Sequence, residues 1–394
     1  MSRKHRYLAY AVGGYGLSMN GLAYFLVPLR AHELGASLAV IGLLLAMKAV
    51  SETFLSVPLG AVIDAVGPKR AVLAAAGGTV LLGVALVMAS SVVNLFLLQF
   101  VLGAVRPLGW VGGQSYAASM RGGADRSYDT GRFSFAANIG QVVAPLLAGG
   151  LATVLGTRLA FSAVALLGAV YLVVALGLPP TARAPAPPGP RTTRLQGFLG
   201  LFRITDIRAA MLLTFTRLWI SSVWIPFYPL FLVSTGTSKF VAGTVISIMA
   251  VAATTTSLVT GRISRLGRPT SVTAAGLAVG CVGIALSPPL SDLPWFYLVA
   301  AMVGVSQGLS LPMLISIVSS AAPPGQGGLA LGLRSSVNQT AAAVGPLVIA
   351  PIIGLAGLAA GFTAAAVLGA GPLVAALAVV RRAARRRAVH ESGP

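Results

Sequence analysis

The sequence has very few charged residues. Asp, Glu, Lys and Arg make up 9% of its 394 positions, against about a quarter in a typical soluble domain. Apolar residues make up 56%, and the mean hydropathy is +0.87. A soluble core cannot dilute charge this far over several hundred residues, so the composition excludes an ordinary soluble protein and leaves no room for a large soluble domain.

The sequence also lacks the residues that most catalytic and redox sites need. Cys281 is the only cysteine, so neither an intramolecular disulfide nor a cysteine metal site can form. No phosphate-cradling Gly-x-x-x-x-Gly-Lys-Ser/Thr motif for ATP is present, and there is no His/Asp/Glu metal cluster and no nucleophile near a base. We therefore expect no enzyme, no metal and no cofactor.

Long apolar runs dominate what is present. One bilayer-spanning helix needs roughly 20 mostly apolar residues, and the runs predict an all-α membrane protein with twelve transmembrane helices. The predicted spans lie near residues 7–29, 38–63, 71–89, 92–113, 134–155, 158–178, 209–232, 240–260, 270–288, 295–318, 328–353 and 355–380.

The net charge of +20 follows the topology. If the N-terminus is cytoplasmic, the inner segments hold 22 Lys and Arg residues, Arg334 among them, and the outer loops only Arg30, Arg158 and Lys239. The positive-inside rule then predicts cytoplasmic termini and an even number of spans. Anionic lipid headgroups are the expected partner of this charge, nucleic acid is not, and we expect a monomer in a bacterial cytoplasmic membrane.

A proline-rich interval divides the spans six and six. Such a stretch stays extended and cannot join a helix bundle. The predicted domains are a six-helix bundle at 1–178, a cytoplasmic linker at 179–208, a second six-helix bundle at 209–380 and a basic cytoplasmic tail at 381–394.

The two halves share landmarks at a constant offset of 201 residues. The pairs are Pro28 and Pro229, Gly103 and Gly304, Ser115 and Ser316, Gly131 and Gly332, Ser134 and Ser335, and Pro145 and Pro346. Two related six-helix bundles with a binding site between them are a transporter architecture.

The connection after the second span resembles the signature loop of the major facilitator superfamily. It reads Gly60-Ala-Val-Ile-Asp64-Ala-Val-Gly67-Pro-Lys69-Arg70. The resemblance implies the superfamily fold, two pseudo-symmetric six-helix bundles, and it assigns these five numbered residues to a cytoplasmic gating loop. Ala65 stands where the family has a basic residue, which reduces any charge relay through the loop.

The fifth span is similar to the antiporter motif of the family's drug exporters. It reads Gly140-Gln-Val-Val-Ala144-Pro145-Leu-Leu-Ala-Gly149-Gly150, with Ala144 where Gly usually precedes the proline. The resemblance implies export. Pro145 and the equivalent Pro346 loosen the backbone ladder, so that they and the nearby Gly140 and Gly345 are hinge candidates, although tight helix packing explains small residues as well.

Four ionisable residues lie deep in the predicted spans, where charges are costly and usually face a cavity or one another. They are Lys48, Glu52, Arg106 and Arg217. Glu52 is the only carboxylate in the middle of a predicted span, which makes it the proton-coupling candidate, with Lys48 and Arg106 as charge partners. A purely structural ion pair explains the same residues equally well.

Polar and aromatic residues of the spans that line the central cavity in this family complete the candidate site. A mostly apolar wall with a few polar groups suits a small amphiphilic ligand, although amides also hold membrane helices together. The candidates are Tyr15, Asn20, Tyr24, Arg106, Trp110, Asn138, Arg217, Trp224, Gln307, Asn338 and Gln339.

The sequence therefore predicts a secondary transporter that works by alternating access. Its expected activity is proton-coupled efflux of a drug-like or secondary-metabolite compound, with the proton gradient as the energy source. Two alternatives stay open. One is a symporter or a sugar or organic-anion carrier on the same fold, which the cavity cations favour, and the other is a non-transporting membrane sensor.

Overall fold

All regular structure in the described part of the chain is helical. The computed structural model describes residues 3–120, 125–180, 200–289, 292–323 and 326–391, apart from some side chains such as those of Asn20 and Asp64. The helices are α1 (Arg3–Glu33), α2 (Leu38–Val66), α3 (Pro68–Met88), α4 (Val92–Ser119), α5 (Asp125–Ala160), α6 (Ser162–Leu176), α7 (Thr205–Ser234), α8 (Lys239–Ile263), α9 (Pro269–Leu286), α10 (Leu293–Ala321) and α11 (Gly327–Glu391), with a 3-10 turn at Ser264–Leu266.

Two glycines break the longest helices. The break in α11 separates the last two of the predicted twelve segments, and the break in α5 separates its last four residues, 157–160, which lead into α6. Gly357 (φ 83°, ψ 170°) breaks the 65-residue α11, and Gly156 (φ 79°, ψ 158°) breaks α5. Both lie in a region of φ that favours glycine. The residues after each break correspond to the predicted spans at 355–380 and 158–178, so the predicted all-α membrane fold is confirmed.

Nine helical segments among the described residues are long and apolar enough to cross a membrane. The first helix, α1, is not one of them, and α6 has only 15 residues. The α11 helix counts once although its break leaves two segments, and it continues to Glu391, through most of the predicted tail.

The 201-residue repeat extends to the ends of the helices. The Ser37 hydroxyl accepts a hydrogen bond from the Val40 amide at the start of α2, and Ser238 does the same for Val241 at the start of α8, each at 3.3 Å. Such caps satisfy amides that have no partner within the helix. Proline begins both α3 and α9, at Pro68 and Pro269, which are again 201 residues apart.

The left-handed glycines follow the same repeat. Gly156 pairs with Gly357, and Gly35 (φ 80°) pairs with Gly236 (φ 86°) in the turns before α2 and α8. These positions were not among the landmarks chosen from the sequence. The repeat therefore preserves the local backbone geometry that begins, ends and breaks the helices.

The contacts divide the chain into two compact units. The first unit is Met1–Pro187 with Ile225–Ala250, and the second is Pro188–Trp224 with Val251–Pro394. The predicted domains instead keep α7 and α8 whole within the C-terminal bundle. The boundaries at 178 and 209 stay a prediction, because residues 181–199 of the predicted linker lie outside the described part of the chain.

Glycines bring α5 and α8 into close contact inside the first unit. A Cβ added at Gly243 would lie 2.3 Å from the Pro145 carbonyl oxygen, and one added at Gly149 would lie 2.4 Å from the Lys239 carbonyl oxygen. Only glycine fits both positions without a backbone shift. Close packing by small residues stabilises membrane helix pairs.

A polar network lies beside this crossing, at the predicted outer end of the first unit. Lys239 donates a hydrogen bond to a Glu33 carboxylate oxygen at 2.6 Å and to the Thr157 hydroxyl at 2.8 Å, and Thr157 donates to the same carboxylate oxygen at 2.5 Å. Arg30 lies 3.4 Å from the other oxygen of Glu33. The network joins the end of α1, the break in α5 and the start of α8.

The environment of Glu33 lowers its pKa. Burial acts in the opposite direction and is the largest single influence, but the hydrogen bonds from Lys239 and Thr157, with the charge of Lys239 and a further bond from Arg30, together outweigh it and hold the pKa below its ordinary value of 4.5. The carboxylate therefore stays ionised in the folded protein at neutral pH.

We expect Gly243→Ala to destabilise the protein. The new methyl group would overlap the Pro145 carbonyl, and overpacking of this kind typically costs about 1–3 kcal/mol. Thermal unfolding of the purified protein in detergent measures the effect. Gly77→Ala is the matched control, because a Cβ there meets nothing within 4 Å, and equal melting temperatures for the two variants would contradict the close contact.

We expect the stabilisation by Glu33 to depend on pH. Because the folded pKa lies below the unfolded value of 4.5, the contribution is fully present above about pH 4.5 and is lost as the pH falls through the folded pKa. The gap in melting temperature between the wild type and Glu33→Gln should therefore narrow under acid conditions. Asp292→Asn, which removes an exposed carboxylate without a capping bond, is the control, and a gap that stays constant with pH would refute the assignment.

Candidate functional site

Glu52 lies at the centre of a cluster of charges in the first unit, in which Lys48 is buried and Arg106 is part-buried. Its carboxylate accepts a short hydrogen bond from Arg106 on α4 through one oxygen, and the other oxygen lies 3.6 Å from the Lys48 ammonium, one helical turn earlier. The ammonium also lies 5.1 Å from the centre of the Tyr24 ring, a cation–π contact. Glu52 and Lys48 are 8% and 9% exposed.

The close packing of α2 on α4 places these charges. A Cβ at Gly103 would lie 2.7 Å from both the Lys48 carbonyl oxygen and the Ser51 side chain, so glycine lets the two backbones approach. The Ser51 hydroxyl then donates to the Phe100 carbonyl at 2.7 Å. Ser51 precedes Glu52, and Gly103 lies one turn before Arg106, so this contact sets the distance between carboxylate and guanidinium.

Arg106 also lines a narrow cavity of the first unit. The cavity has a volume of about 20 Å³ and lies among α1, α3, α4, α5 and α6, with Trp110, Phe133 and Tyr171 in its wall. Ligand pockets usually have about 300–1,000 Å³, so this cavity is too small for a drug-like compound. The Tyr171 hydroxyl is buried and has no hydrogen-bond partner among the described residues, and sequence reasoning missed it because Tyr171 lies on α6.

In the second unit, two arginines occupy positions that the 201-residue repeat relates to the wall of the narrow cavity. Arg217 on α7 and Arg334 on α11 repel each other electrostatically, and the Gln307 side chain on α10 donates to the Arg217 carbonyl at 3.1 Å. The 201-residue repeat relates these three residues to Gly16, Phe133 and Arg106, all of which line the narrow cavity.

Arg334 is not one of the inner loop charges, among which the predicted topology counts it, and this is a correction. Arg334 is a part-buried residue inside α11, within a segment apolar enough to span a membrane. Arg334 is the eighth residue of α11, and the predicted span 328–353 already contains it, so its position is too deep for a loop residue.

The remaining cavity candidates have different surroundings. Trp224 is fully buried and donates its indole N–H to the Ser287 hydroxyl at 3.2 Å, a contact within the second unit that suits helix packing. Tyr15 and Trp110 pack against the hydrophobic core of the first unit. Asn138, Gln339 and Asn338 are part-buried, whereas the side chain of Asn20 lies outside the described residues.

The gating loop shows one feature that its sequence motif explains. Gly67 (φ 89°) ends α2, and its amide donates to the Ile63 carbonyl at 2.9 Å. Lys69 and Arg70 follow in the first turn of α3. Gly60 has open space around it, and because the Asp64 side chain lies outside the described residues, its gating role stays a prediction.

The hinge candidates lie in crowded surroundings. Pro145, Gly140, Gly345 and Pro346 are all buried. A Cβ at Gly345 would lie 2.3 Å from the Ser222 hydroxyl, and one at Gly21 would lie 2.6 Å from the Ala144 methyl. These two contacts are related by the 201-residue repeat, so both units pack equivalent helices through small residues.

Asp129, near the start of α5, is a second buried carboxylate that sequence reasoning missed. It is completely inaccessible to solvent, and the Tyr10 hydroxyl donates to it at 2.5 Å. The predicted span begins at residue 134, which leaves Asp129 outside it, whereas α5 begins at Asp125. It is the natural point of comparison for Glu52.

Comparison with solved structures identifies the fold. A variant of the nucleoside transporter NupG aligns with a TM-score of 0.81 at 16% identity, over 96% of this chain and 99% of that one. A bacterial homologue of the human lysosomal transporter Spinster aligns with 0.74 at 16% identity over 98% of both chains. The human organic anion transporter TETRAN aligns with 0.68 at 18% identity, over 95% of this chain and 100% of that one.

Sequence comparisons give the family. A search of curated proteins finds no match, but the family model of the Major Facilitator Superfamily matches residues 7–346. The resemblance seen in the signature loop is therefore confirmed over nearly the whole chain. The chain belongs to the major facilitator superfamily, and it is a multi-pass membrane protein and a secondary transporter of a small molecule rather than an enzyme.

Proposed function

We propose that the protein exports a drug-like or secondary-metabolite compound in exchange for protons, with Glu52 as the group that carries the proton. The observation that supports proton coupling is the burial of Glu52 between two cations, Lys48 and Arg106. The proton gradient would supply the energy. Export is supported by the similarity of the fifth span to the antiporter motif.

Protonation of Glu52 changes the charge of its cluster. With all three groups ionised, Lys48, Glu52 and Arg106 carry a net charge of +1, and a proton on Glu52 raises this to +2. Because the cluster is buried, the two cations then lose the partner that compensates their desolvation. Binding of a proton therefore favours a rearrangement of Lys48 and Arg106.

Arg106 passes this change to the cavity. Its guanidinium contacts Glu52, and the same residue lines the narrow cavity beside Trp110 and Tyr171. A substrate that needs the ionised cluster competes with the proton, which gives exchange. Protonation of Glu52 and the shape of the cavity wall are therefore linked through the side chain of Arg106.

A second candidate function is proton symport of an organic anion. An anion that takes Arg106 away from Glu52 raises the proton affinity of the carboxylate, so that substrate and proton bind together. The two uncompensated arginines of the second unit favour this alternative. The sign of the proton flux separates symport from exchange.

We propose that the protein lies as a monomer in the cell membrane with both termini in the cytoplasm. The asymmetry of basic residues supports this, at 21 to 3 once Arg334 is placed inside α11. Anionic lipid headgroups would contact the inner basic residues.

We expect Glu52→Gln to abolish substrate-dependent proton flux, because glutamine keeps the size of the side chain but cannot bind a proton. The purified protein would be reconstituted in liposomes with an internal pH dye and an imposed pH gradient, then tested with amphiphilic cations, anions and sugars. Flux in the variant should fall to the level of protein-free liposomes. Protons that move against the substrate indicate exchange, and protons that move with it indicate symport.

Asp129→Asn is the matched control, since it removes the charge of another buried carboxylate from the same unit. We expect this variant to keep proton flux. Full flux in Glu52→Gln, with loss in Asp129→Asn, would transfer the coupling role to Asp129. Substrate movement without any proton flux in the wild-type protein would contradict proton coupling.

A further inference from the structure

The second unit contains two part-buried arginines, Arg217 and Arg334. Of the eight Asp and Glu residues in the sequence, only Asp206, Asp292 and Glu391 belong to this unit. Asp206 lies in the first turn of α7, Asp292 precedes α10, and Glu391 ends α11. All three are therefore at helix ends.

Helix geometry separates these acids from the arginines. Arg217 follows Asp206 by eleven residues on α7, about 16 Å along the axis at 1.5 Å per residue. Gln307, which contacts Arg217, follows Asp292 by fifteen residues, about 22 Å. In the first unit, by contrast, Arg106 has Glu52 directly against it. Among the described residues, neither Arg217 nor Arg334 forms an ion pair with a carboxylate.

Several donors of this pair are buried without a partner. The Nε atom of Arg217, and the Nε and Nη1 atoms of Arg334, have no hydrogen-bond partner among the described residues. The Asn338 amide lies one turn after Arg334, hence on the same face of α11, and its oxygen is also buried and unpartnered. Buried charges without a partner are expensive, so groups arranged in this way are suited to a ligand that supplies the missing charge.

The same two helices line a cavity that suits an apolar body. The cavity has a volume of about 360 Å³, and Met211 and Phe215 of α7 and Val337 of α11 are among its lining residues. This volume falls in the usual range for ligand pockets. Val337 lies three residues after Arg334, whereas Phe215 lies two residues before Arg217 and faces another side of α7. The residues that line the cavity include Arg208 but neither Arg217 nor Arg334.

We propose that Arg217 and Arg334 form an anion-binding subsite, and that the transported compound is a small organic anion with a carboxylate, sulfonate or phosphate group on an apolar body. Each guanidinium presents a planar fork of donors that matches such a group. Gln307 fixes the backbone of α7 beside the pair, and Asn338 adds an amide. The bound anion removes the repulsion between the two arginines.

This inference rests on the proposed function only in assuming that the chain transports a small molecule. The anion is held by Arg217 and Arg334 and not by Arg106, so the subsite is compatible with either direction of proton coupling. The binding site and the coupling group can therefore be tested separately.

The test compares two probes that differ in charge but hardly in shape, 1-naphthoate and its uncharged amide. Binding to the full-length protein in phosphatidylcholine nanodiscs is measured by titration calorimetry. The wild type should bind the acid at least about tenfold more tightly than the amide, because hydrogen bonds to a charged group are among the strong ones. Arg217→Gln and Arg334→Gln should each reduce this preference to about one.

Two further variants separate the subsite from a general effect of charge. Arg334→Lys keeps the charge but loses the fork, so we expect an intermediate preference. Arg262→Gln removes an exposed arginine at the end of α8 and should leave the preference unchanged. Equal binding of acid and amide by the wild type, or a preference that survives in both glutamine variants, overturns the proposal.

A lipid headgroup offers the same chemistry and needs its own arm of the experiment. Phosphatidylglycerol is added to the nanodiscs as a competitor. One outcome is that the lipid raises the melting temperature of the wild type but not of the arginine variants, while the wild type binds naphthoate and its amide equally well. In that case the subsite holds lipid, and the assignment to the substrate is overturned. Binding of naphthoate without proton flux would instead refute the coupling proposal and leave the subsite in place.

Discussion

The cost of an uncompensated charge inside the membrane is the constraint on which the chemistry of this protein depends. The chain has one carboxylate in the middle of its predicted spans, Glu52, and it lies between two cations that it holds together. Gly103 makes this cluster possible by letting α2 and α4 approach. A helix pair that were farther apart would leave Arg106 without a partner in a medium of low dielectric constant. The close packing at Gly103 therefore also determines where the charges of the cluster lie.

The internal repeat preserves backbone geometry while the side chains have diverged. Helix starts, left-handed glycines and close contacts recur at an offset of 201 residues, as with Gly21 against Ala144 and Ser222 against Gly345. These features depend on size and backbone conformation, which both copies must satisfy to form the same bundle. The side chains that face a cavity are under no such requirement. Phe133 corresponds to Arg334, so an aromatic wall in one unit is replaced by a charge in the other.

The sequence predicted the twelve segments, the family and the repeat because these depend on composition and local spacing. It also predicted that Lys48 and Glu52 share a helical face. It missed Asp129, because α5 begins nine residues before the predicted span at 134 and hydropathy does not locate such a boundary to within a turn. It misassigned Arg334 for another reason, since this residue was counted with the inner charges although the predicted span 328–353 contains it. The partition of contacts places the last third of α7 and about half of α8 in the first unit, and it depends on packing between distant segments. No local pattern in the sequence encodes that.

The two groups of charges have different consequences for transport. In the first unit the carboxylate and the cations are in contact, so protonation and the position of Arg106 are linked through one ion pair. In the second unit the charges of Arg217 and Arg334 have one sign, so a bound anion stabilises an arrangement that is otherwise repulsive. A ligand shifts a conformational equilibrium only by its difference in affinity for the two states. The two arginines repel each other when the subsite is empty. If a conformational change moves them apart, the anion binds tightly only to the state in which both arginines contact it, and this difference in affinity favours that state.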